Sequence, residues 1–351
     1  MNMPDRNALL RFESQRLEAV IRDANGEAIS REIEVRTHPI SGRKCRIAFS
    51  RSEELEPGTE HLPPAPPDAE GSSECPFCPG NITHLTPRLR KELDREGRMV
   101  HGTSTLIPNL FPYGAYSAVS LFDDRHFVEI GTAHPETYAD CLSNCARYLE
   151  KVLRFDPRAQ FMAITQNHLP AAGGSLVHPH LQVHADRLPS NQHAFLMGRA
   201  DQYHRSTGRL LFSDYLAAEQ MDGRRIIGET GPWHWLAAFA PEGFFEIWAL
   251  YPGKTAFSQI STKEWKSLSR GVVNAQRFYR SLFRNSYNLG VLSVESDESA
   301  LELQVVLIVR ANYAPWVRND ITGYEVMLGD MATFTAPEET ARQARAFWQT
   351  G

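Results

Sequence analysis

The sequence predicts an α+β fold, and three stretches carry that expectation. Pro135 to Phe155 reads as one long helix, opened by a proline at its start. His178 to His184 reads as a strand, because His178, His180, Gln182 and His184 recur at every second residue while Pro179, Leu181 and Val183 take the alternate positions. Beyond residue 230 a similar plan returns, with strands near 233–239 and 245–251, a helix from about 262 to 284, and strands near 287–294 and 301–310.

Taken in order, residues 1–30 form an N-terminal extension. Leu9, Leu10, Phe12, Leu17, Val20 and Ile21 fall near helical spacing there and predict an amphipathic helix. Glu56 to Ser73 is rich in proline and predicts an exposed loop. Phe161-Met162-Ala163-Ile164 predicts a buried strand that leads through Gln166-Asn167 into the glycine loop before His178. Trp233, Trp235, Phe244, Phe245 and Trp248 alternate with smaller residues, as a sheet core does. Pro337 to Trp348 predicts a C-terminal helix. His101, His134, His193 and His204 lack partners at useful spacing and read as surface or cap residues. Cys45, Cys141 and Cys145 read as buried thiols.

The 351 residues suffice for one large domain or two similar halves. With 37 basic and 42 acidic residues the formal charge is -5, which argues against broad nucleic-acid binding. No apolar run is long enough to span a membrane, the N-terminus lacks a secretory core, and five cysteines fit a reducing cytoplasm.

The chemistry concentrates in two places. A strand face bearing His178, His180, Gln182 and His184 suits nucleotidyl transfer: a neutral imidazole is a competent nucleophile, and its phosphorus–nitrogen bond stays reactive enough to pass the group on. Gly173-Gly174-Ser175 ahead of it offers backbone N–H groups and a hydroxyl for phosphate oxygens, although two glycines also serve simply to turn a chain. Cys75-Pro76-Phe77-Cys78 is a Cys-x2-Cys knuckle that needs two further ligands for a tetrahedral zinc site, and His126 and His178 are the candidates. A redox pair or two buried thiols are the competing readings of that knuckle; Pro79-Gly80 favours the metal loop.

Through most of its length the chain resembles the galactose-1-phosphate uridylyltransferase family of the histidine-triad superfamily. The resemblance runs in order through Glu34 to Arg43, the Cys75/Cys78 knuckle, Pro108-Asn109-Leu110-Phe111-Pro112, the aspartate-rich turn ending at His126, and His178-Pro179-His180-Leu181-Gln182. It continues through Trp233 to Ala237, Phe245-Glu246 and Gly323-Tyr324-Glu325. It implies duplicated histidine-triad-like halves with antiparallel sheets covered by helices, the first over 31–190 and a degenerate second over 191–351. It implies His180 as the nucleophile and Gln182 as the amide on the transferred phosphoryl group. Cys75, Cys78, His126 and His178 fall on the family's single structural zinc site in this half. Substrate contacts fall on Arg51, Asn109, Asn167, Gly173, Gly174, Ser175, Tyr324 and Glu325.

Departures from the pattern matter too. Leu301 to Val309 lacks the histidines of the family's second metal strand, so no second metal is expected. Asn319-Asp320 stands where the family has a lysine and an aromatic residue, and only Arg51 remains of a pair of phosphate-contacting arginines. The resemblance thus implies a cytoplasmic homodimer. It would move a nucleoside monophosphate from a nucleotide sugar to a sugar 1-phosphate or another phosphorylated small molecule. A nucleotide-sugar or dinucleoside-polyphosphate phosphorylase and a zinc-stabilised, non-catalytic nucleotide-binding module are the alternatives.

Overall fold

In the computed structural model, which describes residues 10–48, 61–312 and 320–349, the chain opens with a hairpin rather than a helix. Strands β1 (Glu13–Arg22) and β2 (Ala28–Thr37) pair antiparallel over ten residues. The predicted amphipathic helix is therefore wrong across 13–22, and residues 1–9 lie outside the described part. Helical spacing was outweighed by a turn: Gly26 sits at φ 85° and the Asp23 carboxylate accepts from the N–H groups of Asn25 and Glu27, closing Asp23 to Glu27 into a hairpin bend. Val20 remains 67% exposed, so the hairpin is held by its ladder rather than by an apolar stripe.

The strands β1, β2, β3 (Lys44–Ala48) and β14 (Met331–Thr333) form a four-stranded sheet, in which β14 joins β3 in parallel. The prolines and glycines of 61–80 give a loop into the knuckle, closed by the one-turn helix α1 (Ile82–Leu85). Next come β4 (Met99–His101), β5 (Ser104–Pro108), β6 (Tyr116–Leu121), helix α2 (Pro135–Phe155), β7 (Phe161–His168) and β8 (His180–Asp186). Helices α3 (Asn191–Thr207) and α4 (Leu211–Asp222) lead to β9 (Ile226–Thr230), β10 (Trp233–Ala237), β11 (Phe244–Leu250), helix α5 (Thr262–Ser281), β12 (Tyr287–Val294) and β13 (Gln304–Val309). Helix α6 (Gly323–Leu328) precedes β14, and α7 (Pro337–Ala344) with a 3-10 turn closes the described chain. Leu301 to Leu303, expected in a strand, precede β13 in an irregular segment.

Ten strands form one sheet in the order β4-β5-β6-β8-β7-β12-β13-β11-β10-β9, antiparallel throughout. Read inward from either edge, the order is the same: two hairpin-linked pairs of neighbours, then the fifth strand of the half inserted before the fourth. The fold is α+β with duplicated halves meeting at β7 and β12, and α2 and α5 occupy equivalent places on one face. That face holds the main core, where Leu181, Val183 and Ala185 of β8 and Trp233 and Trp235 of β10 are fully buried. The opposite face is covered over the second half by α3 and α4, which pack on Leu236, Trp248, Leu250 and Val294. No described helix is long and apolar enough to cross a membrane.

Candidate nucleotidyl-transfer site and metal cluster

Strand β8 places its alternating residues as the sequence predicts. His180, Gln182 and His184 lie opposite Leu121, Val119 and Ser117 of β6, and Gln182 and His184 lie opposite Thr165 and Ala163 of β7. Cross-strand partners share a face, so this row occupies the side away from the main core. His178 departs from the expectation in one respect: it precedes the strand, in the bend that feeds it.

That bend is where the knuckle arrives. Cys75, Cys78, His126 and His178 each offer a ligand atom, and the four atoms lie within 4.8 Å of one another. The Cys78 Sγ lies 3.3 Å from His126 Nδ1 and 4.0 Å from His178 Nδ1, and the Cys75 Sγ lies 4.0 Å from His178 Nδ1. Such edges suit a tetrahedron with metal–sulfur bonds of about 2.3 Å and metal–nitrogen bonds of about 2.0 Å. The outer nitrogens complete the fit. His178 Nε2 faces the carbonyl of Asp123 at 3.1 Å, which only accepts, so Nε2 carries the proton and Nδ1 turns its lone pair inward. His126 Nε2 faces the Asp68 carboxylate at 3.3 Å and does the same. Asn81 staples the knuckle by donating to the carbonyls of Ser73 and Cys75, both at 2.8 Å. Burial pushes His178 down to about 4, which keeps it a neutral imidazole as a ligand must be; it pushes the Cys75 thiol up, so a bound cation would have to supply the stabilisation of its thiolate.

The same logic applies to His180, the candidate nucleophile. His180 is 6% exposed, and its Nδ1 lies 2.7 Å from the carbonyl of His178. The carbonyl only accepts, so Nδ1 is the protonated nitrogen and Nε2 keeps its lone pair, with no hydrogen-bond partner among the described residues. Burial lowers the ring's affinity for a second proton. Phe77, carried by the knuckle, stands edge-on to His180 with ring centres 5.5 Å apart. The side chain of Gln182 is half-buried and makes no hydrogen bond within the described chain. His184 is spent on Ser117, at 3.2 Å.

Asn167, two residues beyond the Thr165 that faces Gln182, lies on the same face. The chain then turns through Leu169, which takes φ 69°, a strained value for a side-chain-bearing residue, and through Gly173 at φ 87°. A Cβ on Gly174 would sit 2.8 Å from the carbonyl oxygen of Asn167, so only glycine fits there. The amides of Gly173 and Gly174 donate to Pro170 and Leu169 carbonyls, and the loop's unpaired donors begin at Ser175, which is exposed. These two glycines thus shape the loop rather than cradle a phosphate with their own N–H groups. Asn109 follows β5, pairs its N–H with Ser117 and accepts from Phe111 through its side chain.

Tyr324 and Glu325 lie in the first turn of α6, next to β14. Glu325 accepts from the Thr322 backbone at 2.7 Å in a capping box, and Tyr324 lies beside Arg46. Gly323 is the first residue of that helix. Arg51 lies outside the described residues. His193 is not a surface residue: it is buried, with Nδ1 toward Ser190 and Nε2 toward the Met162 carbonyl at 3.0 Å. Sequence reasoning missed Asn288 and Arg310. Asn288 faces Asn167 across β7 and β12, and Arg310 reaches Asn288 from the end of β13. Neither belongs to a motif, and only strand register brings them to the site.

No family model matches the chain. An uncharacterized protein of Archaeoglobus fulgidus is 28% identical over 280 residues, 79% of this chain and 82% of its own length. A galactose-1-phosphate uridylyltransferase of Haemophilus influenzae is 25% identical over 211 residues, 56% of this chain and 58% of that protein. Among solved structures, an ADP-glucose phosphorylase from Arabidopsis thaliana with bound ADP-glucose superposes with a TM-score of 0.68 at 17% identity, covering 89% of this chain and 98% of that one.

Proposed function

We propose that this chain, which shares its fold with galactose-1-phosphate uridylyltransferase-like proteins, is a nucleotidyltransferase that carries a nucleoside monophosphate from a nucleotide sugar to a phosphate acceptor through His180. The observation that carries the reading is the fixed tautomer of His180: Nδ1 is tied to the His178 carbonyl, and an unpartnered Nε2 is left beside the free amide of Gln182 on one strand face. In the first step Nε2 attacks the α-phosphorus of the donor. A phosphorus–nitrogen bond forms as the phosphorus–oxygen bond to the sugar 1-phosphate breaks with its electron pair. An oxygen of the incoming phosphate then attacks the same phosphorus, and the lone pair returns to Nε2.

Gln182 donates to the phosphoryl oxygens as charge develops on them, and having no titratable proton it gives water no acid to work with. Asn109, Asn167 and the loop of Gly173, Gly174 and Ser175 would meet the donor; Arg51, Tyr324 and Glu325 enter by resemblance alone. Cys75, Cys78, His126 and His178 would hold one zinc ion, whose contribution is structural: it fixes His178 and so the carbonyl that orients His180. A phosphorylase using inorganic phosphate is the second reading. It is favoured by Asp320, an anion bound to Arg310 where the resemblance leads one to expect a lysine and an aromatic residue.

The test is covalent labelling. UDP-glucose, UDP-galactose or ADP-glucose supplied without acceptor should add one nucleoside monophosphate to the protein, seen by intact mass as an acid-labile adduct. His180→Ala should abolish it, His180→Gly should regain transfer with added imidazole, and Gln182→Ala should slow it about tenfold or more. Release by galactose 1-phosphate or by inorganic phosphate then separates transferase from phosphorylase. A donor that binds by calorimetry yet gives neither adduct nor exchange would leave only the nucleotide-binding module.

A further inference from the structure

We propose that Arg310 and Asn288 form a polarity relay that turns the side-chain amide of Asn167 so that its NH2 group, and not its oxygen, faces the phosphate groups of a nucleoside diphosphate. The inference rests on the reading of the His180 face as a nucleotide site and adds to it two residues from the second half of the sheet.

The relay follows from which groups can only donate and which can only accept. Arg310 is pinned by Asp320: its Nε lies 2.8 Å and its Nη2 2.7 Å from the carboxylate oxygens, and the Ala311 N–H donates to the same carboxylate. Burial alone would raise the Asp320 carboxyl, but the hydrogen bonds and charge of Arg310 hold it below its ordinary value. The remaining guanidinium arm, Nη1, donates to Asn288 Oδ1 at 2.8 Å. A guanidinium never accepts, so Asn288 must show it oxygen. On its other side Asn288 Nδ2 donates to the Ala172 carbonyl at 2.9 Å, and a carbonyl never donates. A donor-only group on one side and an acceptor-only group on the other leave the amide of Asn288 a single orientation.

That orientation is passed on. Asn288 Nδ2 also donates to Asn167 Oδ1 at 2.7 Å, across the pair that joins β12 to β7. With its oxygen taken, Asn167 has its own NH2 left over, half-buried and without a partner among the described residues. An NH2 on this face can donate to phosphate oxygens, whereas an amide oxygen would repel them. The same bond to Ala172 ties the relay to the turn that precedes Gly173 and Ser175. The relay crosses the junction of the two halves, which gives the second half a part in a site whose nucleophile belongs to the first.

The experiment is calorimetric binding of UDP and ADP, with uridine and adenosine as phosphate-free controls. In Asn288→Asp the new carboxylate still accepts from Arg310 but cannot donate to Asn167, whose amide then turns its oxygen outward. In Asn288→Ala the Asn167 amide is free to choose. The relay therefore expects Asn288→Ala to weaken binding of the better nucleotide by severalfold and Asn288→Asp by roughly 10- to 100-fold, with nucleoside binding little changed. A role in packing alone predicts the reverse order, because aspartate preserves the shape. In an Asn167→Ala background the difference between the two substitutions should disappear, whereas direct repulsion by the new charge would persist. Asn167→Asp removes the NH2 donor without touching residue 288 and adds a charge in its place, so it should weaken nucleotide binding at least as much as Asn288→Asp.

The relay is overturned if Asn288→Asp and Asn167→Asp bind like the wild type, if Asn288→Ala is the weaker binder, if the difference survives removal of Asn167, or if neither nucleotide binds the wild-type protein. Adduct formation is read separately. The expected binding order without an adduct keeps the relay and ends the transferase reading; an adduct with equal binding by all variants does the opposite.

Discussion

At the scale of single residues, orientation is decided by neighbours that can play only one hydrogen-bonding part. The carbonyl of Asp123 orients His178, and the carbonyl of His178 orients His180. The sequence names these imidazoles but cannot say which nitrogen carries the proton, because the acceptor belongs to backbone placed by the fold. Glu246 shows the same dependence on surroundings. It reads in the sequence as one landmark among several, yet it is a buried residue of β11, accepting from Trp248 Nε1 and from the Glu242 N–H. Burial pushes its carboxyl up from 4.5 to about 7. The folded state then holds more protons than the unfolded state between about pH 4.5 and 7, so this residue makes stability fall as pH rises through that window, by about 3 kcal/mol in all. Urea unfolding of Glu246→Gln should show the variant gaining on the wild type across the window, since the other titrating groups cancel in the difference. A difference that stays flat with pH would refute the raised carboxyl.

At the scale of elements, the knuckle and β8 act as one unit. Period-two alternation made β8 legible in the sequence, and the Cys-x2-Cys spacing did the same for the knuckle; what neither reveals is that the candidate ligand His178 stands in the bend just ahead of the strand. The protein should carry about one zinc per chain, the four-ligand expectation. Cys75→Ser should lower both zinc content and melting temperature, and elemental analysis showing full occupancy in the Cys75→Ser/Cys78→Ser variant would remove the assignment. The first hairpin was not legible as such, for a physical reason. Leu17, Val20 and Ile21 at helical spacing suggest an apolar stripe, but stripes mark helices only where something buries them. Here the ladder between β1 and β2 takes the segment and leaves those side chains largely exposed. Gly26 was the available signal.

At the scale of the whole molecule, the small sheet is joined to the large one through charge. Glu338 of α7 lies 3.0 Å from Arg36 of β2 and 2.7 Å from Arg225, just ahead of β9, and both arginines are buried. Burial alone would raise the Glu338 carboxyl, yet the two guanidinium groups hold it below its usual value. Removing this shared anion leaves two buried cations underpaired, so Glu338→Ala should cost about 3 kcal/mol, read from equilibrium unfolding. Glu34 also pairs with Arg36 at 2.8 Å, and Glu219 and Asp222 with Arg225 at 2.8 and 2.9 Å; a loss below about 1 kcal/mol would mean that these carboxylates suffice. The sequence by itself determined the α+β class, the helix at 135–155 and a second one from about residue 262, the strand bearing His180 and Gln182, and the Cys75/Cys78 knuckle. These are local patterns, carried by periodicity and spacing within a few residues. Only the tertiary structure decided how the two halves share one sheet, where the Tyr324-Glu325 segment sits, and that Asn288 and Arg310 stand at the site. Those outcomes depend on strand order and register between segments more than a hundred residues apart, and the chemistry of a single segment carries no record of its distant neighbour.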